Sequence, residues 1–273
     1  MSASTAQALA EGLAPLTSEP RRAAIFCDVD GTLAPIVRRP EDARVREEVS
    51  RLLSRLGRGY GSVACFSGRP VAEARRLVGV GSIAYVGSHG AEILEAGAKQ
   101  PELVEAFASW EGRTRAFAHA RADDREVRRL RVRLEDKGPI KAFHWRGAPD
   151  EEAAKTLLEG VAREAREEGL DIHWGRMVLE IRPPVPVDKG QAVRTLIEKA
   201  AVDAALYGGD DVTDLDAFDA LEALRASGAL VARVRVGVRS PEGPHAIVDR
   251  ADLVVDGVDG FAGVLAALAD ALR

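Results

Sequence analysis

At 273 residues, with 46% apolar and 30% charged side chains, the chain is long enough for a well-buried core and reads as one large domain carrying an insertion, or as two smaller ones. Its 43 acidic against 38 basic residues leave a net charge of -5, which argues against nucleic acid as a partner, and no apolar run approaches the length that crosses a bilayer. Cys27 and Cys65 are the only cysteines and both sit in apolar, strand-like runs, so they read as two buried thiols in a reducing compartment rather than as a disulfide or zinc pair.

The first twenty residues lack a basic start and a continuous apolar stretch, which argues against a secretory signal and makes the cytoplasm the expected location. Leu9, Leu13 and Leu16 share one face of a short docking helix. Ala23 to Cys27 is an apolar run that ends abruptly in Asp28-Val29-Asp30-Gly31-Thr32, as a buried strand delivering polar residues at its C-terminal end. A helix at about 42–56 follows. Gly61 to Phe66 repeats the pattern, ending in Ser67-Gly68-Arg69-Pro70 and opening a helix, and Ile83 to Val86 ends in Gly87-Ser88-His89-Gly90.

Between about 105 and 182 the rhythm changes. Alternation over Arg128 to Glu135 and Ile140 to Arg146 around Asp136-Lys137-Gly138-Pro139 predicts a hairpin, a charged helix spans about 149–168, and Leu170–Trp174 with Met177–Arg182 predicts a second hairpin around Gly175. Beyond it come a helix from about Lys189 to Ala200, a strand Ala204 to Tyr207 ending in Gly208-Gly209-Asp210-Asp211, a helix to about Ala226, strands near 231–238 and 252–255, and a closing Ala/Leu-rich helix. The predicted fold is therefore α/β, a doubly wound Rossmann-like parallel sheet (residues 22–104 and 183–273) with an inserted α+β cap (105–182). Such sheets bind ligands beyond the carboxyl ends of their strands, so the polar clusters are expected to converge.

Asp28 and Asp30 form a carboxylate pair at a strand end, before a glycine that lets the backbone turn. An ionised carboxylate acting as nucleophile on a phosphate needs its repulsion screened, and Mg²⁺, which takes carboxylate and phosphate oxygens while keeping waters, suits that task. The other carboxylate can then protonate a leaving oxygen and deprotonate the attacking water. Asp210, Asp211 and Asp214 are candidates for the remaining metal ligand, Lys189 for a point charge on phosphate and nucleophile, and Ser67 with the Ser67-Gly68-Arg69 backbone for phosphate binding at a helix N-terminus. Together these pieces make a complete phosphoryl-transfer site.

Asp-Val-Asp-Gly-Thr-Leu (28–33), Ser67-Gly68-Arg69, Lys189 and Gly209-Asp210-Asp211-Val212-Thr213-Asp214 resemble, in order, the four motifs of haloacid-dehalogenase-superfamily phosphatases. Gly87-Ser88-His89-Gly90-Ala91-Glu92, Lys141-Ala142-Phe143-His144-Trp145-Arg146 and Glu180-Ile181-Arg182-Pro183 leading to Asp188-Lys189-Gly190 narrow the resemblance to the trehalose-6-phosphate phosphatases, from about residue 22 onward. The resemblance implies Asp28 as nucleophile, Asp30 as acid/base, and Mg²⁺ held by Asp28, the backbone carbonyl of Asp30 and Asp210. It further implies that Glu135, Lys137, Arg146 and Glu180 of the insertion, with Glu92 of the core, grip the disaccharide hydroxyls. His89 and His144 are further candidates for contact with the substrate. The expected reaction is hydrolysis of trehalose 6-phosphate by a monomer with a small-molecule substrate. Leu215 departs from the pattern, since relatives commonly carry Glu there.

Each signal has a plainer reading beside it. Asp211 and Asp214 also read as helix caps, His89 as a strand-end residue, and His144 as a packing residue. The arginines of 121–133 read as a solvated face, and Trp145 and Trp174 as cross-strand packing. The rival functions are phosphatases for sucrose phosphate, mannosyl-phosphoglycerate or a glycosylglycerol phosphate, and a non-catalytic sugar-phosphate sensor, which the retention of Asp28, Asp30 and Lys189 disfavours.

Overall fold

A computed structural model describes residues 3–37, 39–175, 177–185, 188–240 and 243–272. The chain divides into two compact units, Met1–Glu102 with Val187–Arg273, and the inserted Leu103–Pro186.

The first unit contains α1 (Ala3–Thr17), β1 (Ala23–Asp28), α2 (Glu47–Gly59), β2 (Ser62–Phe66), α3 (Val71–Val78), β3 (Ala84–Gly87) and β4 (Glu92–Leu94), and β5 (Glu102–Leu103) spans its boundary with the second. The insertion supplies α4 (Glu105–Ala122), α5 (Arg125–Arg129), β6 (Arg133–Lys137), β7 (Ile140–His144), α6 (Glu151–Glu167), β8 (Asp171–Gly175) and β9 (Val178–Arg182). The first unit resumes with α7 (Lys189–Ala200), β10 (Ala204–Gly209), α8 (Leu215–Ala226), β11 (Ala232–Arg239), α9 (His245–Arg250), β12 (Leu253–Asp256) and α10 (Gly257–Asp270).

In the larger sheet the order is β12-β11-β10-β1-β2-β3-β4-β5. The pairs from β12 to β3 are parallel and β4 runs antiparallel to β3. Every residue of β1 and of β10 is buried, as expected of central strands covered on both faces. Leu9, Leu13 and Leu16 of α1 enter one cluster with Leu53 and Leu56 of α2 and Val264, Leu265 and Leu268 of α10. Helices α7 and α8 pack on each other and against β1 and β10. Cys27 and Cys65 are register partners on β1 and β2, both free and buried with their Sγ atoms 4.0 Å apart.

The insertion holds an antiparallel sheet of order β6-β7-β9-β8. Leu134, Phe143, Leu179, Ile181 and Ile172 occupy its apolar face, packed with Phe117 of α4 and Ala154, Leu158 and Val161 of α6. Alternation then sends Glu135, Lys137, His144, Glu180 and Arg182 to the opposite face.

Two expectations need correcting. The predicted strand at Arg128–Glu135 is a short helix, α5, a left-handed turn at Arg131 (φ 53) and then β6. Val127, Leu130 and Val132 are all buried, and their spacings of three and two fit a helix and a strand equally well, so periodicity could not place the junction. The helix expected at about 42–56 is a 3₁₀ turn at Pro40–Asp42, an extended stretch through Arg46, and α2. Beyond the parallel strands the sheet adds an antiparallel strand, β4, which at three residues is too short to show alternation in the sequence.

Candidate active site

Strand β1 ends at Asp28, and the chain at once turns through Gly31 (φ 96), closed by Leu33 N–H to Val29 O at 3.0 Å and Gly31 N–H to Ala34 O at 2.7 Å. Strand alternation alone would put Asp28 and Asp30 on one face, but this turn separates them. Asp28 lies buried, whereas the Asp30 side chain is 34% exposed. Gly31 is required here for a second reason, since a Cβ on it would lie 2.0 Å from Asp210 Oδ2.

Behind Asp28 a buried polar chain crosses from β1 to α7 and β10. Asp188 caps α7 by accepting from Gln191 N–H, which sets Lys189 at the first helical position. Lys189 Nζ donates to Asp28 Oδ1 at 2.6 Å and to Asp214 Oδ1 at 2.7 Å. Tyr207 Oη donates to the same Asp214 oxygen at 2.7 Å, while Asp214 Oδ2 accepts the backbone N–H groups of Asp210 and Asp211, each at 3.0 Å. All four acceptor positions of Asp214 are therefore used. Asp210 accepts from Thr32 Oγ1 at 3.1 Å. Asp211 is exposed and caps the short turn Val212–Asp214.

The carboxylates of Asp28, Asp210 and Asp214 each place an oxygen within 4.8 Å of the others. Lys189 is the cation bonded among them, so the cluster carries surplus negative charge. Burial pushes the Asp28 carboxyl well above the usual range; Lys189 opposes this, and Asp214 and Asp210 add to it. Burial, then Asp214, raises Asp210 to about 7. Burial alone would lower Lys189, yet Asp28 and Asp214 hold it above its ordinary value, so it stays charged. Excess carboxylate among hard oxygen donors is the environment that a small divalent cation neutralises. Asp28 and Asp210 fit that task. Asp214, although close, has no acceptor position to give, and it serves instead to hold Lys189 and the 210–211 backbone. Asp211 points its carboxylate to its own turn, outside the cluster.

Ser67, Gly68 and Arg69 follow β2. Two of the N–H groups predicted for phosphate are committed: Ser67 N–H to Val86 O at 2.9 Å and Arg69 N–H to Ser67 Oγ at 3.1 Å. Gly68 N–H has no hydrogen bond among the described residues. The Arg69 guanidinium pairs with Asp30 through Nε (2.9 Å) and Nη2 (2.8 Å), and also with Glu73, while Ser67 Oγ donates to Asp30 at 3.2 Å. The N-terminus of α3 already has its anion, since Val71 N–H donates to the buried Glu92 at 3.0 Å. Glu92 thus supports α3, the helix that follows the Ser67-Gly68-Arg69 turn. Ser88 (φ 50) and His89 (φ 59) are both left-handed, and their N–H groups donate to Arg69 O and Ser67 O. The His89 ring covers Gly68, where a Cβ would lie 2.6 Å from its Cε1.

On the polar face of the inserted sheet, His144 Nε2 meets Glu135 Oε2 at 2.6 Å and Lys137 Nζ donates to Glu180 Oε1 at 3.3 Å. Arg146 is exposed just past β7. Trp145 and Trp174 stack edge to face at 5.8 Å, and Arg121, Arg128 and Arg129 form ion pairs with neighbouring carboxylates, in line with their plainer readings. Sequence reasoning missed Thr32, Tyr207 and Arg182 as members of these constellations. Thr32 lay inside the first motif, and Tyr207, a hydroxyl in an otherwise apolar buried strand, was itself a signal that a polar partner lies inside.

The sequence profile of the trehalose-phosphatase family matches residues 26–245. The chain belongs to the trehalose-phosphatase family. Within that family's neighbourhood, it is 35% identical over 206 residues to the trehalose-phosphate phosphatase of Mycobacterium marinum, covering 73% of this chain and 52% of that protein. It is also 35% identical over 208 residues to a protein of Mycobacterium tuberculosis named an uncharacterized glycosyl hydrolase, covering 74% of this chain and 15% of that one. The chain therefore spans about half the length of the former and a smaller part of the latter. Among solved structures, a trehalose-6-phosphate phosphatase related protein matches with a TM-score of 0.67 at 23% identity, over 90% of this chain and 97% of that one. A haloacid dehalogenase-like hydrolase from Bacteroides thetaiotaomicron matches at 0.58 and 15% identity, over 89% and 98%. Both likenesses are of fold, a Rossmann-like core with a parallel central sheet. Among the described residues no helix is long and apolar enough to cross a membrane.

Proposed function

We propose that the chain hydrolyses trehalose 6-phosphate to trehalose and inorganic phosphate, with Asp28 as nucleophile. The observation that carries this reading, in a chain of the trehalose-phosphatase family, is the buried Lys189 bridge between Asp28 and Asp214. Lys189 holds one Asp28 oxygen at 2.6 Å and leaves the other for attack. In the first step an Asp28 oxygen bonds to phosphorus as the bond to the sugar oxygen breaks, giving an aspartyl phosphate. Asp30 gives a proton to the departing oxygen and then takes one from the water that releases phosphate. To do so Asp30 exchanges its contact with Arg69, whose guanidinium then becomes available to phosphate oxygens. Mg²⁺ is the proposed cofactor, held by Asp28, Asp210 and the Asp30 carbonyl, where it would screen phosphate from the carboxylates.

In the same reading the insertion is a cap, and its Glu135, Lys137, Arg146 and Glu180 recognise sugar hydroxyls. The chain acts as a cytoplasmic monomer. Phosphate release from a panel of sugar phosphates, with and without Mg²⁺, tests the proposal. Trehalose 6-phosphate is expected to lead the panel, and Asp28→Asn to lose activity by about a thousandfold or more. A different preferred sugar phosphate overturns the substrate, and an active Asp28→Asn enzyme overturns the mechanism.

A further inference from the structure

We propose that Arg182, which belongs to neither the catalytic nor the sugar-binding set above, is a positioning residue that aims Glu180 at its ligand and so sets substrate selectivity. This rests on the reading of the inserted sheet as a sugar-recognition surface.

The register of β9 against β8 places Arg182 opposite Asp171, the cross-strand carboxylate that an arginine ordinarily takes as its partner. Arg182 instead folds back along its own strand to Glu180. Nε donates to Glu180 Oε2 at 3.1 Å and Nη2 donates to the same oxygen. Asp171 meanwhile accepts from the Ile172 N–H at 2.8 Å. Both acceptor positions of Glu180 Oε2 are thus filled by one guanidinium. Oε1 is left with Lys137 Nζ at 3.3 Å and, among the described residues, a second acceptor position that no donor fills.

The Glu180 side chain is only 14% exposed, so this orientation is enclosed as well as bonded. Burial raises its carboxyl, but Arg182 and Lys137 outweigh that and keep it below the usual range, hence ionised and acceptor-only. Across the sheet Glu180 is in register with Ala142, and Ala142 with Glu135. Ala142 between them is small and fully buried, and Lys137 Nζ bridges the two carboxylates, 3.3 Å from Glu180 Oε1 and 3.8 Å from Glu135 Oε2. A ligand that donates hydroxyls to both carboxylates matches this pattern. Arg182 decides which Glu180 oxygen it meets.

A double-mutant cycle on the full chain tests the proposal, with the readout being kcat/KM for trehalose 6-phosphate divided by kcat/KM for p-nitrophenyl phosphate. Arg182→Met is expected to lower this ratio about tenfold, mainly through KM for the sugar substrate, because a misaimed carboxylate loses binding and not chemistry. Arg182→Lys restores part of it. In a Glu180→Gln background Arg182→Met adds less than about twofold, because a residue that acts only through Glu180 has nothing left to position. An additive cycle, or an equal loss for both substrates, overturns the proposal in favour of a structural role. If another sugar phosphate is preferred and the cycle is non-additive on it, the substrate assignment fails and the role of Arg182 stands. A wild-type chain that prefers no sugar phosphate over p-nitrophenyl phosphate overturns both.

Discussion

In the core unit Asp28, Asp210 and Asp214 are 4%, 3% and 0% exposed, while in the inserted unit the side chains of Glu135 and Glu180 are 50% and 14% exposed. The first set is arranged around one shared lysine and saturated backbone contacts. The second is paired sideways, carboxylate to Lys, Arg or His along the sheet face. Depth accounts for the difference. Buried charges interact in a weakly screened medium and must be compensated atom by atom, which suits a group that has to be poised for chemistry. A half-exposed carboxylate such as Glu135 exchanges partners with water at little cost, which suits transient bonds to hydroxyls, whereas the more enclosed Glu180 keeps the orientation its Lys and Arg partners give it.

The sharpest way to break this comparison is to remove the shared lysine. Lys189→Met leaves Asp28 and Asp214 buried without their cation and is expected to cost about 3–5 kcal/mol of stability along with nearly all phosphatase activity. Denaturant unfolding measures the first and phosphate release the second. A stable, active Lys189→Met protein contradicts the account of the core site.

Asp210→Asn examines the surplus charge through pH. The folded carboxyl keeps its proton up to about 7 against the usual 3.8, so between those values the folded state binds more protons and stability falls as pH rises. Without metal, Asp210→Asn is therefore expected to exceed wild type in stability above pH 7 by on the order of 1–3 kcal/mol, with the gap closing towards pH 4. Mg²⁺ should stabilise wild type and have little effect on the variant. A gap that widens towards pH 4 would falsify the assignment of excess negative charge.

Smaller effects separate support from recognition. Glu92→Ala removes the anion from the α3 N-terminus and is expected to cost about 1–2 kcal/mol. If instead KM for a sugar phosphate rises with stability intact, Glu92 is a ligand after all. His144→Ala frees Glu135 and should raise KM about two- to fivefold with kcat unchanged, as expected for a half-exposed pair. Steady-state kinetics against two sugar phosphates decides it.

Much of the fold was legible because central strands announce themselves. Ala23 to Cys27 and Ala204 to Tyr207 are apolar runs that end in acidic clusters, and both became buried parallel neighbours. The junction at 127–133 was not legible, because Val127, Leu130 and Val132 satisfy two periods at once. Among site residues, Asp28, Lys189 and Asp210 came from motif and position. The saturation of Asp214, the Glu92 cap on α3 and the Arg182 contact to Glu180 did not, since each depends on which of several possible partners lies within 3 Å or so.

The sequence alone determined the alternation of strands and helices, the inserted α+β block and the residue types that phosphoryl transfer needs, because burial and local periodicity are written in composition and spacing. Only the tertiary structure decided how roles divide among similar side chains. Asp28 and Asp30 are two residues apart, yet one is buried against Lys189 and the other faces Arg69. Asp210, Asp211 and Asp214 lie within five residues, yet they divide into a candidate ligand, a turn cap and a brace for Lys189. Carboxylates are chemically alike, and what distinguishes them is the direction of the backbone at a turn and the donors that long-range packing brings to each oxygen.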